Sequence, residues 1–307
     1  MSNNATPQTL NLAAVQQACT DDKAASLATT EKLVREAVAN GAELVVLQEL
    51  HATLYFCQTE DTDVFELAEP IPGPTSQRLS DLARELGIVL VGSIFERRMN
   101  GVYHNTAVVF EKDGSIAGLY RKMHIPDDPG FYEKFYFTPG DAQFNDGRSG
   151  FTPIHTSVGK LGVLVCWDQW YPEAARLMAL AGAEILIYPT AIGWDMTDDP
   201  EEQVRQLEAW VTVQRGHAVA NNLPVVAPNR VGTEPDPSNQ SDGIRFWGNS
   251  FICGPQGEFL ARADENSECI LATTLDRTRS ESIRRIWPYL RDRRIDAYGD
   301  ILKRVRD

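Results

Sequence analysis

Residues 160–176 read KLGVLVCWDQWYPEAAR: a short apolar run, a cysteine, a few residues of turn, then a proline followed by helix-forming residues. The apolar run has the length of a buried strand. Pro172 suits the first turn of a helix, where a missing N–H costs nothing. A strand that runs straight into Cys166 and then turns into a helix presents the thiol at the carboxyl end of a sheet, with N–H groups of the turn available to an oxyanion. A free cysteine is equally at home as a small buried hydrophobe, so spacing alone leaves both readings of Cys166 open.

The surrounding chain repeats this alternation. Residues 182–188, GAEILIY, echo residues 41–47, GAELVVL, and each segment directly follows a helical pattern. Strands are expected over 10–19, 43–48, 88–95, 152–156, 160–165, 184–188 and 224–227. Helices are expected over 26–40, 75–86, 172–181 and 201–221. Tight turns at Asp113-Gly114 and at Pro255-Gln256-Gly257 mark a hairpin in each half. The pattern is α/β, with two related halves whose sheets bury their apolar faces against each other and carry helices outside. No low-complexity linker separates the halves. The expectation is a single domain over residues 1–307, with a core from about 8 to 275 and a C-terminal extension from about 276 to 307. Residues 233–242, TEPDPSNQSD, read as a surface loop. The charged tail after Pro288 reads as a solvated helix or extension, or as an arm against another subunit.

Composition narrows the function classes. With 29 basic and 43 acidic residues the net charge is −14, which disfavours nucleic acid and anionic membranes as partners and is compatible with a cationic substrate. No run approaches the ~18 apolar residues of a membrane span, and the N-terminal MSNNATPQTL lacks the basic and apolar regions of a secretory signal, so the cytosol is the expected location. The 5 cysteines (Cys19, Cys57, Cys166, Cys253 and Cys269) are scattered and include no CxxC pair. The 5 histidines include no HExxH. Neither a disulfide scaffold nor a metal site is expected, and nothing calls for an organic cofactor.

Two further residues can carry chemistry. Glu49 ends the apolar run ELVVLQ and either points from the sheet end into a site or caps the next helix. Lys122, in YRKMHIPDDPG, follows the hairpin strand 116–120, where a lysine is usually solvated. Glu49 in VLQEL, Lys122 in YRKMHIPDDPG and Cys166 in VLVCWDQWYPEAAR together resemble the Glu–Lys–Cys triad of the nitrilase superfamily. The resemblance extends from about residue 10 to 231 and resumes in GNSFICGPQGE at 248–258. It implies an αββα fold of two packed mixed sheets that dimerises into an αββα–αββα sandwich, or builds larger homo-oligomers. It also implies that Glu133, in FYEKFYF, supports the site around Lys122, a role its own surroundings in the sequence do not suggest. In the implied chemistry Glu49 takes the proton of Cys166, the thiolate attacks an amide-like carbon, and Lys122 with the N–H of Trp167 holds the oxyanion.

The triad does not select the substrate. Residues 124–141, 166–193 and 291–298 resemble the branch that acts on carbamoylated diamines. That resemblance implies hydrolysis of a small cationic carbamoyl-amine, N-carbamoylputrescine, to putrescine, carbon dioxide and ammonia. Its ammonium needs a carboxylate beyond the cysteine. Asp195 is the candidate, although it reads equally as a loop acid or helix cap; Asp168 lies too near the nucleophile, except to help at the carbamoyl end. Tyr132, Trp167 and Trp194 are candidates to wall the aliphatic chain. The alternatives are a β-ureidopropionase or ω-amidase, whose substrate carboxylate calls for an arginine such as Arg230; a Cys–His hydrolase with His217 or His124 as base; and a non-catalytic subunit kept for binding or assembly.

Overall fold

The two GAE segments form equivalent strands in two sheets. The computed structural model describes residues 8–239 and 241–306. Thr9–Gln16 (β1) lies parallel to Leu44–Val46 (β2), and β2 lies parallel to Val89–Met99 (β3). Val102–Phe110 (β4) and Ile116–Arg121 (β5) then add antiparallel, through the Asp113-Gly114 turn. Ile154–Thr156 (β6) pairs antiparallel with Gly159–Val163 (β7), which lies parallel to Ile185–Ile187 (β8). Gly193–Asp195 (β9) departs to a small separate sheet, and Val225–Ala227 (β10) returns parallel to β8. Thr233–Glu234 (β11) and Ile244–Phe246 (β12) complete the small sheet in the order β11-β12-β9. Phe251–Cys253 (β13) and Phe259–Arg262 (β14) add antiparallel to β10, and Cys269–Asp276 (β15) closes the first sheet against β1.

The resulting orders are β15-β1-β2-β3-β4-β5 and β14-β13-β10-β8-β7-β6. Reading β1-β2-β3-β4-β5 beside β7-β8-β10-β13-β14, both runs pair parallel, parallel, antiparallel, antiparallel, so the two halves share one topology.

Strand periodicity sorts the side chains into layers. Leu10, Leu12 and Ala14 of β1 face the second sheet and share its core with Leu161, Val163 and Ile187. The alternate residues Ala13 and Val15, with Val45 and Leu90, pack beneath Lys23–Ala39 (α1) and Pro74–Leu86 (α2) through Leu33, Val34, Leu79 and Leu82. Because β2 is buried on both faces, its sequence is a continuous apolar run rather than an alternating one. Past the short helix Glu133–Tyr136 (α3), Pro172–Leu180 (α4) and Pro200–Asn221 (α5) cover the second sheet with Met178 and Trp210. At Gly162 a Cβ would come within 3.0 Å of Leu186 Cδ2 and 3.2 Å of Met178 Cβ, so glycine there lets α4 approach the sheet. The architecture is αββα.

Three expectations change. Residues 233–242 are not wholly loop: β11 lies within them and Glu234 is buried, because it meets the guanidinium of Arg230; Gln240 lies outside the described residues. The strand β15 had no place in the expected series, since its outward face is polar and its neighbour β1 is far away in sequence. After Arg277–Ile286 (α6) the tail forms short 3-10 turns at Ile295–Ala297 and Gly299–Leu302, with Ile301 and Leu302 exposed. Among the described residues no helix is long and apolar enough to cross a membrane.

Leu12 tests the sheet-on-sheet core, being 1% exposed between the two layers. Leu12→Ala should lower the unfolding free energy by about 2–5 kcal/mol in urea titration. A loss under about 1 kcal/mol would mean that the layers do not pack tightly there.

Candidate active site

Each half delivers its polar groups near the ends of its strands. Glu49 follows β2, Lys122 follows β5, and Glu133 opens α3; all three are buried. The ammonium of Lys122 donates to Glu49 Oε1 at 2.9 Å and to Glu133 Oε2 at 2.6 Å. Asn105, from β4, donates to the same Oε1 of Glu49 at 2.6 Å, and the hydroxyl of Tyr55 donates to Glu133 Oε1 at 2.8 Å. Among the described residues Glu49 Oε2 has no hydrogen-bond partner. That oxygen is the open acceptor of the cluster.

Cys166 comes from the other half. It leaves β7 through Leu164 and Val165 and opens the 3-10 turn Cys166–Trp170, which hands over to α4 at Pro172. Its φ of +41° is the left-handed region that side-chain-bearing residues avoid, and its N–H donates to Pro189 O at 2.9 Å. Asp168 holds this elbow. Its Oδ2 accepts from Val165 N at 3.0 Å and from the Tyr120 hydroxyl at 2.8 Å; its Oδ1 accepts from His124 N at 3.0 Å and lies 2.6 Å from His124 Nδ1. Asp168 therefore ties the cysteine turn to the segment bearing Lys122. With both oxygens engaged in the interior, it is not available to the carbamoyl end of a substrate.

Electrostatics set the protonation states. Burial works against the Lys122 ammonium, but Glu133 and Glu49 outweigh it and hold the lysine well above its ordinary value. Burial pushes the Glu133 carboxyl up to about 7, with Lys122 opposing and Glu49 adding to the rise. Burial, then the Glu49 carboxylate, drives the Cys166 thiol well above the ordinary cysteine value, against the pull of Lys122. The cysteine therefore rests as a thiol and needs a base to become a nucleophile.

Beside this cluster lies a cavity of about 480 Å³ whose lining includes Cys166, Glu133, Tyr55, Trp167 and Trp170. Asp195, Asp198 and Glu202 line it too, together with one guanidinium, Arg205, so its charged lining is predominantly acidic. Trp167 and Asp195 are thus at the cavity. Tyr132 and Trp194 are not among its lining residues. The neighbouring Phe131 lines the cavity, while Tyr132 donates its N–H to Cys57 O. Trp194 alternates with Asp195 along β9 and so turns the other way, its indole donating to Gln203 O at 2.9 Å and packing against Trp247, which does line the cavity.

The rival bases and the candidate arginine are engaged elsewhere. His217 Nε2 lies 2.7 Å from Gln169 O, and His124 stacks on Tyr171 at 3.7 Å while meeting Asp168. Arg230 is wholly buried, paired with Glu234, and absent from the cavity lining. Sequence reasoning missed Tyr55 and Asn105. For Asn105 a signal existed, because His104, Asn105 and Thr106 interrupt an otherwise apolar strand; Tyr55 offered none.

Comparison with known proteins bears on the fold and the family. The carbon-nitrogen hydrolase family model matches residues 11–285. The N-carbamoylputrescine amidase of Solanum lycopersicum is 45% identical over 295 residues, covering 95% of this chain and 95% of that protein. The citrullinase of Francisella tularensis is 41% identical, covering 96% of this chain and 99% of its own. A crystal structure of a carbon-nitrogen hydrolase from Helicobacter pylori G27 superposes with a TM-score of 0.92 at 54% identity, covering 97% of this chain and 100% of that one.

The raised proton affinity of Cys166 has a direct optical readout. The thiolate absorbance near 240 nm, taken as wild type minus Cys166→Ser, should stay flat through neutral pH and rise only in the alkaline range, above the ordinary cysteine value near 8.5. A step with its midpoint below about pH 7 would show a preformed thiolate and contradict the electrostatics.

Proposed function

The chain belongs to the carbon-nitrogen hydrolase family, and on that premise we propose that it hydrolyses N-carbamoylputrescine to putrescine, carbon dioxide and ammonia through a Cys166 thioester. The observation that carries the mechanism is the buried Glu49–Lys122–Glu133 cluster electrostatically coupled to a protonated Cys166.

Glu49, with Oε2 unpartnered, takes the thiol proton as the sulfur attacks the ureido carbon. Negative charge gathers on the carbonyl oxygen, where Lys122 and the N–H of Trp167 stabilise it. Glu133 and its donor Tyr55 keep the ammonium aimed. The first amine leaves with the proton held by Glu49, which then draws a proton from water as the water attacks the thioester. The carbamic acid released divides into carbon dioxide and the second amine. One substrate and one water account for all three products.

The predominantly acidic lining of the cavity supports a cationic substrate. Within it Asp195 is our candidate for the terminal ammonium: Thr197 donates to its Oδ1 through N–H and hydroxyl, and no described residue donates to Oδ2. Trp167, Trp170 and Phe131 provide apolar surface for the methylene chain. Assembly belongs to the same reading. Leu177, Leu180 and Val219 remain exposed on α4 and α5, and the tail adds Ile301 and Leu302. This apolar strip supports a homodimer in which the αββα layers double into a sandwich, with larger homo-oligomers built from it. A cytosolic setting fits an enzyme whose 5 cysteines are all unpaired.

The purified protein should release ammonia and putrescine in equal amounts from N-carbamoylputrescine, and Cys166→Ala should release neither. Asp195→Asn should raise KM about tenfold with kcat little changed, the pattern of lost ground-state binding. An unaltered KM would move the ammonium contact to Asp198 or Glu202. L-citrulline, assayed in parallel, decides the substrate class: turnover of citrulline without turnover of N-carbamoylputrescine would overturn the assignment.

A further inference from the structure

Arg230 is a wholly buried guanidinium that the reaction does not use and the cavity does not reach. Its contacts converge on the segment that carries Glu49. Nη2 donates to Leu50 O at 2.9 Å and to Glu49 O at 3.2 Å, and Nη1 donates to Thr53 O at 2.9 Å and to Glu234 Oε1 at 2.6 Å. Leu50 has a φ of +48°, so the residue directly after Glu49 is held in the left-handed region, and its N–H is taken by Ser93 Oγ at 3.0 Å. A strained conformation of this kind persists only where its surroundings over-determine it, and the carbonyls on both sides of that strain are the ones Arg230 grips.

Glu234 extends the hold to the other end of the segment. Its Oε2 accepts from the N–H of Tyr55 at 2.5 Å, and the hydroxyl of Tyr55 is the group that donates to Glu133. One ion pair thus fastens residues 49–55 at both ends, and each end carries a side chain that meets the Lys122 cluster.

We propose that Arg230, with Glu234 as its counter-ion, is a positioning residue for the general base: it maintains the strained Glu49–Leu50 turn that keeps the free oxygen of Glu49 available to Cys166. The proposal rests on the reading of Glu49 as that base. Only a planar fork meets these acceptors together; a lysine in its place keeps the charge but offers a single nitrogen.

The test is a double-mutant cycle read on Cys166 itself, by the rate at which iodoacetamide alkylates that cysteine, followed by peptide mass spectrometry, and independent of which substrate is native. Wild type, Arg230→Lys, Glu49→Gln and the double variant are compared, each checked for folding by circular dichroism. Glu49→Gln and Arg230→Lys should each slow alkylation about tenfold, and the double variant should match Glu49→Gln within about twofold, because the two act through one group. With N-carbamoylputrescine, Arg230→Lys should lower kcat and leave KM within about twofold. If Arg230→Lys does not fold, Glu234→Gln takes its place in the cycle.

Alkylation at the wild-type rate in Arg230→Lys overturns the proposal alone. So does a slowing that persists in full in the Glu49→Gln background, since it would mark a general structural effect. Wild-type alkylation in Glu49→Gln overturns the reading of Glu49 as base, and the proposal with it.

Discussion

An ammonium buried without compensation gives up its proton, and Lys122 keeps its own because Glu49 and Glu133 hold it from two sides. The arrangement is demanding. Removing one partner from such a buried set typically costs about 3–5 kcal/mol, because the charge left behind has neither water nor counter-ion. Burial, with the Glu49 carboxylate adding to it, leaves Cys166 at rest as a thiol. Nucleophile activation then falls to Glu49, the carboxylate with an oxygen to spare.

The fold exists in two matching halves, and the chemistry requires both. The first half supplies Glu49, Lys122 and Glu133 together with their donors Asn105 and Tyr55. The second supplies Cys166 on its elbow, the tryptophans of the cavity wall and the acids Asp195, Asp198 and Glu202. Asp168 joins them: from the cysteine turn it grips His124, two residues beyond Lys122, and Tyr120, two residues before. Each sheet spends one apolar face on the other sheet and the opposite face on its helices, so the helices lie on the outside.

Much of this was legible in the sequence wherever a local pattern carried it. The apolar runs ELVVLQ and KLGVLVC, the glycines that follow helices and the Asp-Gly turn each encode one local element, and the paired GAE segments disclosed the duplication. Glu49, Lys122 and Cys166 closed or followed strands, but position left each of them open; the resemblance of their three motifs to the nitrilase triad joined them into one site. What was not legible depends on tertiary pairing. Cys269–Asp276 meets β1 across almost the whole chain, and the burial of Glu234 depends on an arginine whose destination no spacing reveals. On β9 strand alternation brings Asp195 rather than Trp194 to the cavity lining, and Phe131 rather than Tyr132 belongs to that lining.

The central claim is that Cys166 carries the carbonyl group during turnover. Rapid acid quench of the enzyme during hydrolysis of N-carbamoylputrescine, followed by digestion and mass spectrometry, measures this directly. The account predicts a thioester on the Cys166 peptide, bearing either a carbamoyl group or the aminobutyl-carbamoyl group according to which amine leaves first. An enzyme turning over with no adduct on Cys166, or with the adduct on another residue, would contradict it.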